Sequence, residues 1–213
     1  MFSKINLTGI KGVLLDLDNT VYLYDPCHEA ALAACVLKAK QELSIPENDF
    51  RAVYNQMKSK VNKQLHGQAA CHSRLLYFQY LFEQIDGQTN FELPLIYYRI
   101  YWETFFDQMR ILPEAESFLR KCQQAQIPVA IVTDLTADVQ FEKIQRLKIQ
   151  PFIKFLVSSE EAGREKPDAA MFRLALQKLQ LNIADVIMIG DSSKTDQAGA
   201  EALGIPWFHP WKE

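Results

Sequence analysis

The chain has 213 residues, of which 48% are hydrophobic and 23% are charged, an ordinary composition for a globular protein. Its formal net charge of −3 gives no support for a nucleic-acid partner or an anionic membrane surface. The first residues contain no apolar signal region, and the apolar runs are too short to span a bilayer. We therefore expect a cytoplasmic protein with one large domain, or with one domain and a substantial insertion.

Two aspartates follow the first apolar run of the chain, at residues 12–15. Asp16 and Asp18 are two residues apart, and in extended backbone such side chains project to the same side. Like charges this close are costly unless a cation or a shared proton relieves them. A turn-capping role would explain one carboxylate but not both, so the pair predicts a functional site.

Further apolar runs alternate with helical patterns along the second half of the chain. Alternating strands and helices predict an α/β fold, a Rossmann-like parallel sheet with helices on both faces. Ligands of such sheets bind beyond the carboxyl ends of the strands. The predicted strands lie at residues 129–132, 155–157, 186–189 and 205–208, and the helices near 114–124, 136–147, 169–179 and 195–203.

The segment between the first two strands is much longer than a crossover connection requires. It has no β-rich run, and its helical patterns predict an inserted all-α bundle. We therefore expect an α/β core at residues 1–20 and 112–213, with the helical insertion at 21–111. The four helices are predicted near residues 27–43, 47–65, 71–85 and 91–109.

Polar residues at the strand ends are expected to converge on one rim of the sheet. Four of them are carboxylates, which need positive charge to remain ionised, and oxygen-only ligands suit a hard cation such as Mg²⁺. A hydroxyl and an ammonium group beside that cation form a receptor for an oxyanion, most naturally phosphate. The residues are Asp16, Asp18, Asp191 and Asp196, together with Thr133 and Lys166.

This pattern resembles the haloacid dehalogenase-like hydrolase superfamily, in particular its phosphatase branch with a helical cap inserted after the first motif. Residues 16–21 match the first motif and Thr133 the second, while Lys166 matches the third. Gly190-Asp191 followed by Asp196 matches the acidic fourth motif. The resemblance covers residues 8–20 and 112–210.

The resemblance implies a role for each of these residues. Asp16 attacks phosphorus and forms an aspartyl-phosphate, and Asp18 protonates the leaving oxygen and later takes a proton from water. Thr133 and Lys166 hold the oxygens of the transferring group. The implied Mg²⁺ ligands are Asp16, Asp18 through its backbone carbonyl, and Asp191, with Asp196 either a further ligand or a group that orients water on the ion.

The implied activity is Mg²⁺-dependent hydrolysis of a small soluble phosphomonoester, such as a sugar phosphate or a nucleoside monophosphate. A phosphomutase or phosphotransferase of the same superfamily stays open, because such enzymes keep both aspartates of the first motif. A non-catalytic relative that uses its cap as a binding surface is a third interpretation, which the intact motifs oppose. The oligomeric state is open.

The cap and the residues around the motifs are expected to select the substrate. Asp134 departs from the small or amide residue often found there in the family, and either disfavours acidic substrates or holds a sugar hydroxyl. The alternative to substrate contact for Arg74 is a position on the surface or in an ion pair within the cap. The candidate substrate residues are Asn19, Tyr22, His72, Arg74 and Asp134.

Overall fold

The computed structural model describes residue 2 and residues 5–211, so residues 1, 3, 4, 212 and 213 of the expected core lie outside the described part. The chain forms two compact units. We call them the sheet unit (Met1–Leu23, Gly67–Ala69 and Arg110–Glu213) and the helical unit (Tyr24–His66 and Ala70–Met109). Among the described residues, no helix combines the length and the apolar character that crossing a membrane requires.

The helical unit contains the four helices that the sequence predicts for the inserted segment. The Ser73 hydroxyl caps the third helix by accepting a hydrogen bond from the Leu76 amide at 3.3 Å. Gly87 ends the same helix with a φ of 71°, a left-handed conformation that glycine adopts without steric cost. The helices are α1 (Tyr24–Glu42), α2 (Glu47–Gln64), α3 (Arg74–Asp86) and α4 (Leu93–Gln108).

The positively charged side chain of Arg74 is buried inside the helical unit. Arg74 is only 5% exposed, and it donates hydrogen bonds to the His72 carbonyl at 2.6 Å and to the Tyr24 hydroxyl. Cation–π contacts of a desolvated guanidinium contribute about 2 kcal/mol or more, which compensates part of the loss of hydration. Arg74 is therefore a core residue and not a surface one. Four rings lie 5.3 to 6.0 Å from the guanidinium carbon: Tyr24, Tyr77, Tyr101 and Trp102.

The sheet unit contains the parallel sheet that the sequence predicts. Its strands are β1 (Gly12–Leu15), β2 (Val129–Thr133), β3 (Ile153–Ser158), β4 (Val186–Ile189) and β5 (Trp207–Phe208). They pair in parallel in the order β3-β2-β1-β4-β5, which puts β1 at the centre. Leu15, the last residue of β1, lies opposite Ile131 of β2 and Ile189 of β4. The carboxyl ends of the three central strands therefore meet at one edge.

Both faces of the sheet are buried, as expected for this fold class. Val13, Leu14 and Leu15 of β1 have no exposed surface, and successive strand residues point to opposite faces. Leu14 belongs to an apolar cluster with Phe172 and Leu179, which lie on a helix of the sheet unit. The helices of the sheet unit are α5 (Pro113–Gln124), α6 (Ala137–Arg146), α7 (Ser159–Ala162), α8 (Ala169–Leu179) and α9 (Ala198–Ala202).

Acid should destabilise the helical unit through His28. The His28 Nδ1 lies 2.6 Å from the Tyr101 hydroxyl, and burial, together with the positive charge of Arg74, lowers the pKa of His28 to about 4. In the unfolded chain the ordinary pKa is about 6.5, so between these values the unfolded state binds a proton that the folded state does not. The contribution of His28 to stability is therefore lost as the pH falls from about 6.5 to about 4.

We expect His28→Gln, which cannot titrate, to flatten this part of the pH dependence. Urea unfolding of both proteins at pH 7 and pH 4.5 should show that the variant loses less of its free energy of unfolding than the parent protein does. The difference should be on the order of 1–2 kcal/mol after allowance for partial solvent exposure. Equal losses in the two proteins would show that His28 is protonated in the folded state.

Candidate active site

Asp16 occupies the central position at the carboxyl edge of the sheet. It follows β1 directly, and its backbone amide donates a hydrogen bond to the Ile189 carbonyl at 2.9 Å. This bond continues the pairing of β1 with β4, so the position of Asp16 is fixed by the sheet itself. Asp16 is only 5% exposed, which leaves its carboxylate with little stabilisation from water.

Lys166 supplies the positive charge that this buried carboxylate requires. Its Nζ lies 2.6 Å from Asp16 Oδ1 and 2.7 Å from Asp196 Oδ1. Burial disfavours the ammonium form, but Asp16, Asp196 and Asp134 together raise the pKa of Lys166 well above its ordinary value. The Lys166 backbone amide donates to Asp134 Oδ1 at 2.9 Å. Asp134, a candidate substrate residue, thus supports the loop that carries Lys166.

Three carboxylates crowd together at this edge. One oxygen from each of Asp16, Asp191 and Asp196 lies within 4.8 Å of the others. Burial raises the pKa of Asp16 to about 7, an effect that Lys166 opposes and Asp196 reinforces. Burial and the Asp16 charge raise the pKa of Asp191 to about 6. One ammonium group does not balance three ionised carboxylates, so the group carries excess negative charge when all three are deprotonated.

The backbone around Asp196 brings this carboxylate into the group. Ser193–Gln197 forms a π-helical turn, and the Ser192 amide donates to Asp196 Oδ2 at 3.1 Å. A Cβ atom on Gly190 would lie 2.3 Å from the same Oδ2, so only glycine permits this approach. Asp196 thus accepts a hydrogen bond at each oxygen, from Lys166 at Oδ1 and from the Ser192 amide at Oδ2, and so connects Lys166 with the turn.

The donor set of this group fits a divalent cation. Its three side chains offer carboxylate oxygens, the ligands that Mg²⁺ and similar hard cations prefer. A divalent ion would also neutralise the excess negative charge. The Asp18 side chain is not in the group, which is compatible with the backbone carbonyl as the contribution of Asp18.

Asp18 points to a different set of partners. The Lys143 ammonium lies 2.8 and 2.7 Å from its two oxygens, and the Tyr22 hydroxyl donates to Oδ1 at 2.5 Å. Sequence reasoning missed Lys143. A signal was present, since helical spacing on α6 places Lys143 on the buried side with Val139 and Ile144, an unusual place for a lysine.

Thr133 is the last residue of β2 and is 1% exposed. Its hydroxyl accepts a hydrogen bond from Gln140 Nε2 at 2.9 Å, and the same amide donates to the Asp134 carbonyl. Sequence reasoning did not identify Gln140 either. It fixes the hydroxyl of Thr133 at the edge where Asp16 and Lys166 meet.

The remaining candidate substrate residues fall in two places. Asn19 lies in the sheet unit with a φ of 59°, and its carbonyl accepts a hydrogen bond from Trp211 Nε1 at 2.8 Å. Tyr22 contacts Asp18, as described above. His72 and Arg74 belong to the helical unit, at the end of a 3₁₀ turn and at the start of α3.

Comparison with known proteins identifies relatives along most of the chain. A ribulose-1,5-bisphosphate 5-phosphatase of Halopiger xanaduensis is 35% identical over 91% of this chain and 82% of its own length. A glyceraldehyde 3-phosphate phosphatase of Pyrococcus abyssi is 28% identical over 93% of this chain and 81% of its own length.

Solved structures agree on the fold. A haloacid dehalogenase-family phosphatase from Thermococcus onnurineus superimposes with a TM-score of 0.72 at 19% identity, covering 93% of this chain and 85% of its own. The family model for haloacid dehalogenase-like hydrolases matches residues 10–204. The resemblance seen in the motifs is thereby confirmed, and the chain belongs to the haloacid dehalogenase-like hydrolases.

Proposed function

We propose that the protein is a Mg²⁺-dependent phosphatase that hydrolyses a small sugar phosphate through an aspartyl-phosphate on Asp16. The observation that carries the proposal is the position of Asp16, whose carboxylate lies 2.6 Å from the Lys166 ammonium and belongs to the acidic group with Asp191 and Asp196. A carboxylate nucleophile, a cation site and a fixed ammonium group are the parts that phosphoryl transfer requires.

The relatives support both the reaction and the kind of substrate. The expected enzyme class, a hydrolase of phosphoric monoesters, is confirmed, since the two curated relatives described above are phosphatases. The two named above act on ribulose-1,5-bisphosphate and glyceraldehyde 3-phosphate, both phosphorylated sugars. We therefore prefer a sugar phosphate to a nucleoside monophosphate for this chain.

The first step is the attack of Asp16 on phosphorus. The oxygen of Asp16 forms the new bond to phosphorus as the bond to the leaving oxygen breaks, which transfers the phosphoryl group to the protein. Lys166 and the Thr133 hydroxyl would hold the phosphoryl oxygens, so that their positive charge and hydrogen bonds favour the transition state. Gln140 and Asp134 keep these two groups in place.

Asp18 would move the protons of the reaction. It takes up a proton when the substrate binds and donates that proton to the leaving oxygen. It then takes a proton from the water that hydrolyses the aspartyl-phosphate and releases it with the products, which returns both aspartates to their starting state. A bound Mg²⁺ would supply positive charge that offsets the negative charge of phosphate and carboxylates. Asp16 and Asp191 would hold the ion through side-chain oxygens, and Asp18 through its carbonyl.

Substrate selection is proposed to involve further residues, which do not take part in bond formation or proton transfer. The insertion at residues 21–111, which contains the helical unit, is proposed to act as the cap, with the catalytic core at 1–20 and 112–213. His72 and Arg74 would contribute from the helical unit, and Asn19, Tyr22 and Asp134 from the sheet unit. A cytoplasmic location is proposed with this assignment.

Replacement of the nucleophile should abolish turnover without unfolding the protein. Asp16→Asn keeps the shape of the side chain but removes the attacking charge, so kcat should fall by at least about 10³-fold. The measurement is phosphate release from a panel of sugar phosphates, nucleoside monophosphates and p-nitrophenyl phosphate, with Mg²⁺ and with EDTA. Far-UV circular dichroism checks that the variant folds.

Activity that survives Asp16→Asn would refute the nucleophile assignment. Hydrolysis that requires an added sugar bisphosphate as activator would point to a phosphomutase instead. Glu114→Gln, which removes an exposed carboxylate at the start of α5, is the matched control and should behave like the parent protein.

Binding of Mg²⁺ should be detectable without any substrate. An ion that binds the folded state raises its stability according to its concentration and affinity, so 5 mM Mg²⁺ should raise the Tm of the parent protein by a few degrees, roughly. Asp191→Asn removes one of the proposed ligands and should reduce the rise to less than about half.

Asp138→Asn serves as the control for this measurement, because Asp138 is an exposed carboxylate in the first turn of α6. It should leave the Mg²⁺-dependent rise intact. A rise of equal size in Asp191→Asn and in the control would place the ion elsewhere.

A further inference from the structure

Lys143 is an ammonium group with no exposed surface, paired with the carboxylate of Asp18. Its Nζ is 2.8 Å from Oδ1 and 2.7 Å from Oδ2, and the two residues are 125 positions apart in the chain. Burying a lysine is costly unless a charged partner compensates, and Asp18 is that partner here. The Asp18 side chain keeps 31% of its surface exposed, so one side of it stays open.

Tyr22 fixes the same carboxylate from a second direction. Its hydroxyl donates to Asp18 Oδ1 at 2.5 Å, and its side chain has no exposed surface. Its ring centroid lies 5.8 Å from Lys143 Nζ. The Tyr22 backbone is held in turn, because the Leu112 amide donates to the carbonyl of the preceding Val21 at 2.9 Å. Asp18 is therefore constrained at both oxygens by groups that are themselves fixed.

Helix α6 connects Asp18 with the other side of the site. Gln140 and Lys143 are three residues apart and lie on the same helix face. Gln140 donates to the Thr133 hydroxyl, while Lys143 binds Asp18. One buried helix face thus holds a phosphate-binding hydroxyl and an acid–base carboxylate in a fixed relation.

We propose that Lys143, assisted by Tyr22, is the positioning residue for Asp18, which it holds where the leaving oxygen of the substrate is protonated. This inference rests on the proposed function. Lys143 acts through Asp18 and does not itself touch the substrate. Without Lys143 the Asp18 side chain gains rotational freedom, and proton delivery to the leaving oxygen becomes inefficient.

The basicity of the leaving group separates this role from a merely structural one. A sugar alkoxide is a poor leaving group and requires a proton as the bond to phosphorus breaks. A p-nitrophenolate leaves without one, so a positioned acid contributes little to its departure. A general loss of folding or of phosphate binding would reduce both reactions equally.

The experiment compares Lys143→Met with the parent enzyme on the best sugar phosphate and on p-nitrophenyl phosphate. We follow the first chemical step alone, as release of the sugar or of p-nitrophenol in a single turnover, because the later hydrolysis of the aspartyl-phosphate is the same for both substrates. We expect the rate of this step to fall about 10²-fold or more for the sugar phosphate and less than about 10-fold for p-nitrophenyl phosphate. Asp18→Asn should give the same pattern. In the double variant the losses should not add, because both changes remove one function.

Two further variants complete the test. Tyr22→Phe removes only a hydroxyl and should shift the ratio of the two rates in the same direction by a smaller factor. It serves as the test variant if Lys143→Met does not fold. Lys178→Met removes a lysine that pairs with Glu161 at 2.6 Å on another part of the sheet unit. It should leave the ratio unchanged.

Equal losses on the two substrates, or no loss on either, in the folded variants would overturn the positioning role while the proposed function stands. A parent enzyme that hydrolyses neither substrate would overturn the proposed function, and this inference with it.

Discussion

The site depends on one buried ammonium group that is shared between two carboxylates. Lys166 lies 2.6 Å from Asp16 and 2.7 Å from Asp196, and all three are almost completely shielded from water. Without that charge, neither carboxylate could stay ionised so close to the other. Asp191 is the third carboxylate of the group, and its negative charge exceeds what the single positive charge of Lys166 can balance. The excess charge is the physical reason for expecting a divalent cation.

A second lysine gives Asp18 an environment of its own. Asp16 and Asp18 are two residues apart, yet Asp16 faces Lys166 and the acidic group, while Asp18 faces Lys143 and Tyr22. Two chemically identical side chains acquire different tasks when their surroundings differ. A nucleophile needs a cation and a phosphate beside it, whereas an acid–base group needs a fixed orientation and an open side. The separate partners would suit the nucleophile and acid–base roles that we propose for Asp16 and Asp18.

Sequence periodicity predicted the strands and most of the helices, because apolar runs and helical spacing are local features. The paired aspartates were visible for the same reason. The pairing of Lys143 with Asp18 was not visible, although helical spacing puts Lys143 on the buried side of α6. The two residues are 125 positions apart and meet only through tertiary packing. Arg74 gives a similar lesson. A single arginine in a helix predicts an exposed charge, and only tertiary structure brings four rings around it.

Asp134 shows how a structural requirement can produce what looks like a specificity residue. Its Oδ1 accepts the Lys166 amide, so the loop that delivers Lys166 needs an oxygen acceptor at this position. An asparagine side chain would offer such an oxygen as well. The negative charge of Asp134 adds a further effect, because it is one of the three carboxylates that keep the Lys166 ammonium protonated despite burial. Support for Lys166 is therefore reason enough for an aspartate at position 134, before any contact with a substrate is considered.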